Sequence, residues 1–169
     1  MGETALKNLD QHLVNASISD ANRYAIRVYS LGMCRVPGSN IVMKELVATE
    51  LMSSSLNLAV NVRRLIEWYE IREISLSPDP HNLKEHRENI PEKYWDALNY
   101  FIHQRTCNIA YLTDNSGNSN FPDDPKADCV AAYFKVETDN KKKASIPIIS
   151  LAWTYMTSIS EAISAQNEN

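Results

Sequence analysis

Hydrophobic positions recur first at helical and then at strand spacing along this chain. From Thr4 to about Asn15, Leu6, Leu9 and Leu13 share one stripe, and Ala21 to Met33 continues it with Tyr24, Ala25, Val28 and Leu31. "SISD" at 17–20 supplies capping residues between them, so the pattern fits one kinked helix or two. "RVPGSN" at 35–40 stops the helix, and Ser39 or Asn40 can cap the next one. Met43, Val47, Leu51, Ser55, Leu58, Val62, Leu65, Ile66 and Tyr69 then predict a helix from Ile41 to about Arg72. At 1.5 Å per residue it is roughly 45–50 Å long. The serines at 53–55 allow close approach, which marks a crossing point with another helix.

A polar connection punctuated by prolines, "SLSPDPHNLKEHRENIPEK" at 75–93, follows, with room for one helical turn. Pro91 and Glu92 suit the first turn of a further helix, carried by Tyr94, Trp95, Leu98, Phe101 and Ile102 to about Arg105. The period then changes. "CNIAYLTD" at 107–114 reads as a strand. "CVAAYFKVET" alternates, with Val130, Ala132, Phe134 and Val136 on one face and Tyr133, Lys135 and Glu137 on the other. After a turn at "DNKKK", "ASIPIIS" returns as a strand whose Pro147 suits a sheet edge. Ala152, Tyr155, Ile159 and Ile163 make a last helix. The expected fold is mainly α: a helical bundle with a small antiparallel sheet of about three strands near the C-terminus and a final helix. It forms one domain, with a helical part at 1–106, the sheet at 107–150 and the C-terminal helix at 151–166.

Composition narrows the function classes. The 169 residues are 44% hydrophobic and 22% charged, as in a soluble globular domain. A net charge of −4 gives no global positive field to gather nucleic acid, so any such contact is local. Three cysteines, Cys34, Cys107 and Cys129, are far apart in sequence and match no zinc spacing. With no secretory signal and no apolar run near the ~20 residues that span a bilayer, the expected setting is a reducing cytoplasm without membrane contact. No cofactor or metal is expected. Starting at Asp114, the acidic loop puts Ser119 and Pro125 where a calcium loop needs glycine and glutamate. His81 and His86, five residues apart, fall on different faces of a helix. Lys141, Lys142 and Lys143 read as a solubilising turn, with contact to a phosphate as the other use.

Two stretches carry candidate chemistry. "NVRRLIEWYEIRE" at 61–73 interleaves Arg63, Arg64 and Arg72 with Trp68 and Tyr69, a mixture that can bind single-stranded nucleic acid by charge and stacking. Glu67, Glu70 and Glu73 dilute its charge, and an Arg64–Trp68 surface pair is the plainer use. In "DALNYFIHQR" at 96–105, Asn99 and His103 stand one turn apart, with Trp95 and Asp96 a turn earlier. His103 can act as general acid or base near neutral pH, and Asn99 can orient it or a phosphate oxygen. The plainer use is an asparagine–histidine hydrogen bond that fixes the helix.

The helix carrying "LNLAVNVRRLIEWYE", a linker and a helix with "LNYFIHQ" resemble the HEPN-like proteins over about residues 40–160. The resemblance implies a helical bundle that dimerises with two motif helices across a cleft. It also implies metal-independent RNA cleavage, in which a histidine gives acid–base help and an arginine steadies the scissile phosphate. Asn99 and His103 match the motif, but Leu98 stands where the arginine belongs. Arg105, about 200° round a continued helix from His103, reaches a composite site only from a partner chain. Loss of that arginine argues for a HEPN-like protein of prokaryotic defence or toxin–antitoxin type with weak or no ribonuclease activity. Such a protein is a homodimer and binds RNA or a protein partner through Arg63, Arg64, Trp68, Trp95 and Arg105. The alternative is a non-enzymatic phage- or plasmid-encoded inhibitor or immunity protein acting by protein–protein contact, for which net acidity suits basic clefts. A third reading is a small ligand between bundle and sheet, near Tyr100, Tyr111 and Tyr133.

Overall fold

The first two apolar stripes fold as two long antiparallel helices, α1 (Gly2–Gly32) and α2 (Ile41–Tyr69). The computed structural model describes residues 2–81, 89–113 and 119–167. α1 is a single helix, so "SISD" caps nothing: Ser17 is buried in mid-helix and accepts a hydrogen bond from Arg64 Nη1 at 2.9 Å. Val14 rather than Leu13 faces the core, and Leu13 is 50% exposed. Arg27–Glu50 at 2.8 Å and Arg64–Ser17 fix the register of the pair. Ser54 and Ser55 on α2 and Ala21 and Ala25 on α1 are all buried, and side chains this small permit close approach of helix backbones. Asn40 caps α2, its side chain accepting from the Met43 N–H at 2.9 Å. α2 ends at Tyr69, short of Arg72. Glu70 turns left-handed there (φ 56°), and the Ile71 N–H closes back on the Ile66 carbonyl at 3.1 Å.

The third helix, α3 (Tyr94–Ile102), starts three residues after Pro91. Its entry is pinned by backbone bonds from Leu76 N–H to the Glu92 carbonyl (2.8 Å) and from Tyr94 N–H to the Ile74 carbonyl (3.0 Å). It stops at Ile102, because the next residues extend to pair with the sheet. The sheet has four strands among the described residues, one more than expected: β1 (Arg35–Val36), β2 (Gln104–Thr113), β3 (Cys129–Thr138) and β4 (Lys143–Pro147). β3 is central. β2 lies antiparallel along one side, and β4 and the two-residue β1 share the other. The sheet is therefore not confined to 107–150, since β1 lies between α1 and α2 and β2 begins directly after α3.

"ASIPIIS" divides at Pro147, which ends β4 and caps the last helical stretch. Without an N–H, proline cannot extend the ladder, and its φ of −63° already suits a helix start. That stretch runs through α4 (Ile148–Thr154), a π-helical segment (Tyr155–Ile159) and α5 (Ser160–Asn167). Its stripe of Ala152, Tyr155, Ile159 and Ile163 is buried as expected. Tyr133, expected on the outer face of β3, is fully buried. The connection after α2 covers that face: the Tyr133 hydroxyl donates to Asp79 Oδ2 at 2.6 Å, and the His81 ring lies 5.9 Å away. Helices and sheet meet where Phe101 packs edge-on against Phe134 (4.7 Å), and α3 is tied to α4 where the Tyr94 hydroxyl donates to the Leu151 carbonyl (2.9 Å). Among the described residues no helix is long and apolar enough to cross a membrane.

Candidate functional site: a polar cleft between the third helix and the β3–β4 turn

α3 buries Tyr94, Ala97, Leu98 and Phe101 and so turns Asp96, Asn99 and Tyr100 outward. His103 sits at the end of the helix, not inside it. Its N–H still reaches the Asn99 carbonyl (3.0 Å), but its backbone (φ −105°, ψ 21°) has left the helical region. The residue after it, Gln104, already pairs with Thr138 on β3. Thr138 in turn donates its N–H to the Lys142 carbonyl at 3.0 Å, across a turn in which Lys141 is left-handed (φ 59°). The β-ladder thus carries the β3–β4 turn to the C-terminal end of α3. Between them lies a cleft of about 480 Å³ lined by Pro91, Asp96, Asn99, Tyr100, His103, Thr138, Asn140 and Lys142. That volume lies within the range of small-ligand sites.

The polar groups of the cleft are largely unspent. Asn99 Oδ1 is buried and has no hydrogen-bond partner among the described residues, as is Gln104 Oε1. A buried acceptor left so costs roughly 1–3 kcal/mol, which a ligand donor would recover. The expected Asn99–His103 side-chain hydrogen bond does not form. His103 and Lys142 are exposed, and neither has an ion pair or side-chain hydrogen bond among the described residues. Lys142 therefore adds a cation, unpaired among the described residues, to the cleft that Asn99 and His103 line. The "DNKKK" turn signalled that lysine, but only the strand register shows where it goes.

The other candidate residues lie elsewhere. Leu98 has no exposed surface, so the position where the resemblance wants arginine belongs to the core. Arg105 is not on a helix: it falls at a bulge in β2, between Gln104↔Thr138 and Thr106↔Glu137. Trp95 is flanked by Arg63 and Arg72, whose guanidinium carbons lie 5.0 and 4.9 Å from its ring, and Arg63 also pairs with Glu67 at 3.3 Å. Arg64 is turned to Ser17 on α1, so the Arg64–Trp68 pair is not made, and Trp68 is 47% exposed. The cleft receives none of Arg63, Arg64, Trp68, Trp95 and Arg105. Tyr100 lines it, but Tyr111 donates to the Lys44 carbonyl (2.7 Å) and Tyr133 to Asp79, so the three tyrosines do not converge.

Cys107 and Cys129 lie on neighbouring strands, yet they pair with Val136 and Thr113 and not with each other. His86 and residues 114–118 of the acidic loop lie outside the described residues. Further along that loop, Asp128 accepts from Ser119 Oγ and the Asn120 N–H, and Asp124 accepts from Ser39. The Ser39 contact holds the Asp124 carboxyl below its usual range, so both carboxylates serve to close loops. No family model, curated protein or solved structure matches this chain, and the site rests on its own geometry.

Proposed function

We propose that the chain is a HEPN-like RNA-binding protein of prokaryotic defence or toxin–antitoxin type, working in the cytoplasm as a homodimer, with weak or no ribonuclease activity. The observation that carries this reading is the convergence of Asn99, His103 and Lys142 on one cleft. Lysine is a compact charge on a flexible stem and cannot hold a phosphate bidentately as arginine does. The site is therefore better suited to holding a phosphate than to stabilising one in transit. Fluorescence anisotropy with single-stranded RNA at low salt should show binding that Lys142→Ala weakens about tenfold, with a shallower dependence on salt. Incubation of cellular RNA with and without chelator should yield at most slow cleavage, lost in His103→Ala. RNA binding that is absent, or untouched by both substitutions, sinks the reading.

One feature bears on the alternative of an inhibitor or immunity protein acting by protein contact. α2 exposes Val42, Leu46, Leu56 and Val60, and Thr49 and Ser53 complete an uncharged stripe at alternating four- and three-residue steps. Read from either end the stripe has the same order: valine, leucine, small hydroxyl, small hydroxyl, leucine, valine. Such a pattern suits a second copy in antiparallel, two-fold contact, which supports the homodimer before a foreign partner.

A further inference from the structure

We infer that the cleft is a guanine-selective nucleotide subsite, with Asp96 and Asn99 accepting from the base and Lys142 and His103 holding its phosphate. This deepens the RNA-binding reading and rests on it. The lining is divided by polarity. Asp96, an acceptor only, has no hydrogen bond or ion pair among the described residues, and Asn99 Oδ1 three residues on is a buried acceptor without a donor. Positions three apart on a helix are neighbours, so the two acceptors can face one edge of a ligand together. His103 stands at the other end, seven residues beyond Asp96 and about 10 Å along the helix at 1.5 Å per residue, and Lys142 brings its ammonium to the same cleft. A fitting ligand has adjacent N–H donors at one end and an anion at the other.

Among the RNA bases only guanine carries two adjacent N–H donor groups, N1–H and the 2-amino group, on its Watson–Crick edge. Adenine and cytosine each offer one amino group beside a lone pair. Uracil sets its single N–H between two carbonyls, one of which would oppose the Asp96 carboxylate. Tyr100, half-buried in the wall, gives the base an aromatic surface to lie against. Bases are read in this way when they are unpaired, so the substrate class is single-stranded RNA with an accessible guanine.

The test uses the full chain and fluorescently labelled hexanucleotides that differ at one central base among adenines. Guanine should bind about tenfold tighter than adenine at that position, with inosine, which lacks the 2-amino group, between them. Asp96→Asn should bring the guanine-to-adenine ratio to about one, with the larger loss on the guanine strand, whereas Lys142→Ala should weaken every strand alike and leave the ratio in place. Equal binding of all strands by the wild-type chain overturns the guanine inference and leaves RNA binding standing. No binding of any strand overturns both. A guanine preference that survives Asp96→Asn overturns the assignment of Asp96.

Discussion

Cys107 shows how burial alone sets the chemistry of a side chain. Desolvation pushes its thiol up to about 11 from the usual 9.0, because the fold disfavours the thiolate. The sign follows: the neutral thiol is the folded form, so its contribution to stability is whole below pH 9 and drains away as pH rises towards 11. At pH 8, alkylation of Cys107 by iodoacetamide, followed peptide by peptide in a mass spectrometer, should run about a hundredfold slower than in the urea-unfolded chain. Equal rates in the folded and unfolded chains would contradict this picture. The cysteines' wide spacing pointed to unpaired thiols, but their reactivity depends on what packs over them, which spacing does not encode.

At the scale of an element, α3 decides what its motif can do. Its apolar positions put Leu98 into the core between Ala97 and Phe101, so the helix is rotated to offer Asn99 and not its predecessor. Leu98→Arg should therefore fail to restore a catalytic cation. An unpaired guanidinium at a site with no exposed surface should cost more than about 3 kcal/mol, read as a lower urea midpoint. A variant of near wild-type stability that cleaves RNA faster would show that position 98 can face the cleft. The length of α3 was overrun from sequence for a related reason: "HQRT" has no helix-breaking residue, and pairing of Gln104 with Thr138 ends the helix where local preference would continue it.

For the molecule as a whole, the exposed stripe on α2 is the surface least explained by the monomer. Val42 is 66% exposed and Leu46 66%, and among the described residues nothing covers them. A two-fold antiparallel contact between copies would set Val42 beside Val60 and Leu46 beside Leu56. Light scattering on a sizing column should give the mass of a dimer for the wild-type chain and of a monomer for Leu46→Lys/Leu56→Lys. The thermal transition should stay cooperative, since neither position belongs to the monomer core. A wild-type monomer at tens of micromolar, or a dimer unchanged by the two lysines, would rule out this surface.

The alternation of apolar positions determined the mainly helical class, the stripe buried by α2, the central strand from Cys129 to Thr138 and the core of the last helix. Those features follow from local periodicity, because a helix or strand must bury whichever face its apolar residues occupy. It also singled out Asn99 and His103 as neighbours, since both belong to one turn of the chain. What periodicity could not carry was register between elements distant in sequence. The pairing of Gln104 with Thr138 and the bond from Thr138 to Lys142 bring a hairpin lysine to His103, and the packing of Leu98 excludes a cation from the helix itself. The Gln104–Thr138 pairing joins residues more than 30 positions apart, and only the tertiary structure chooses among the registers that the same local pattern allows.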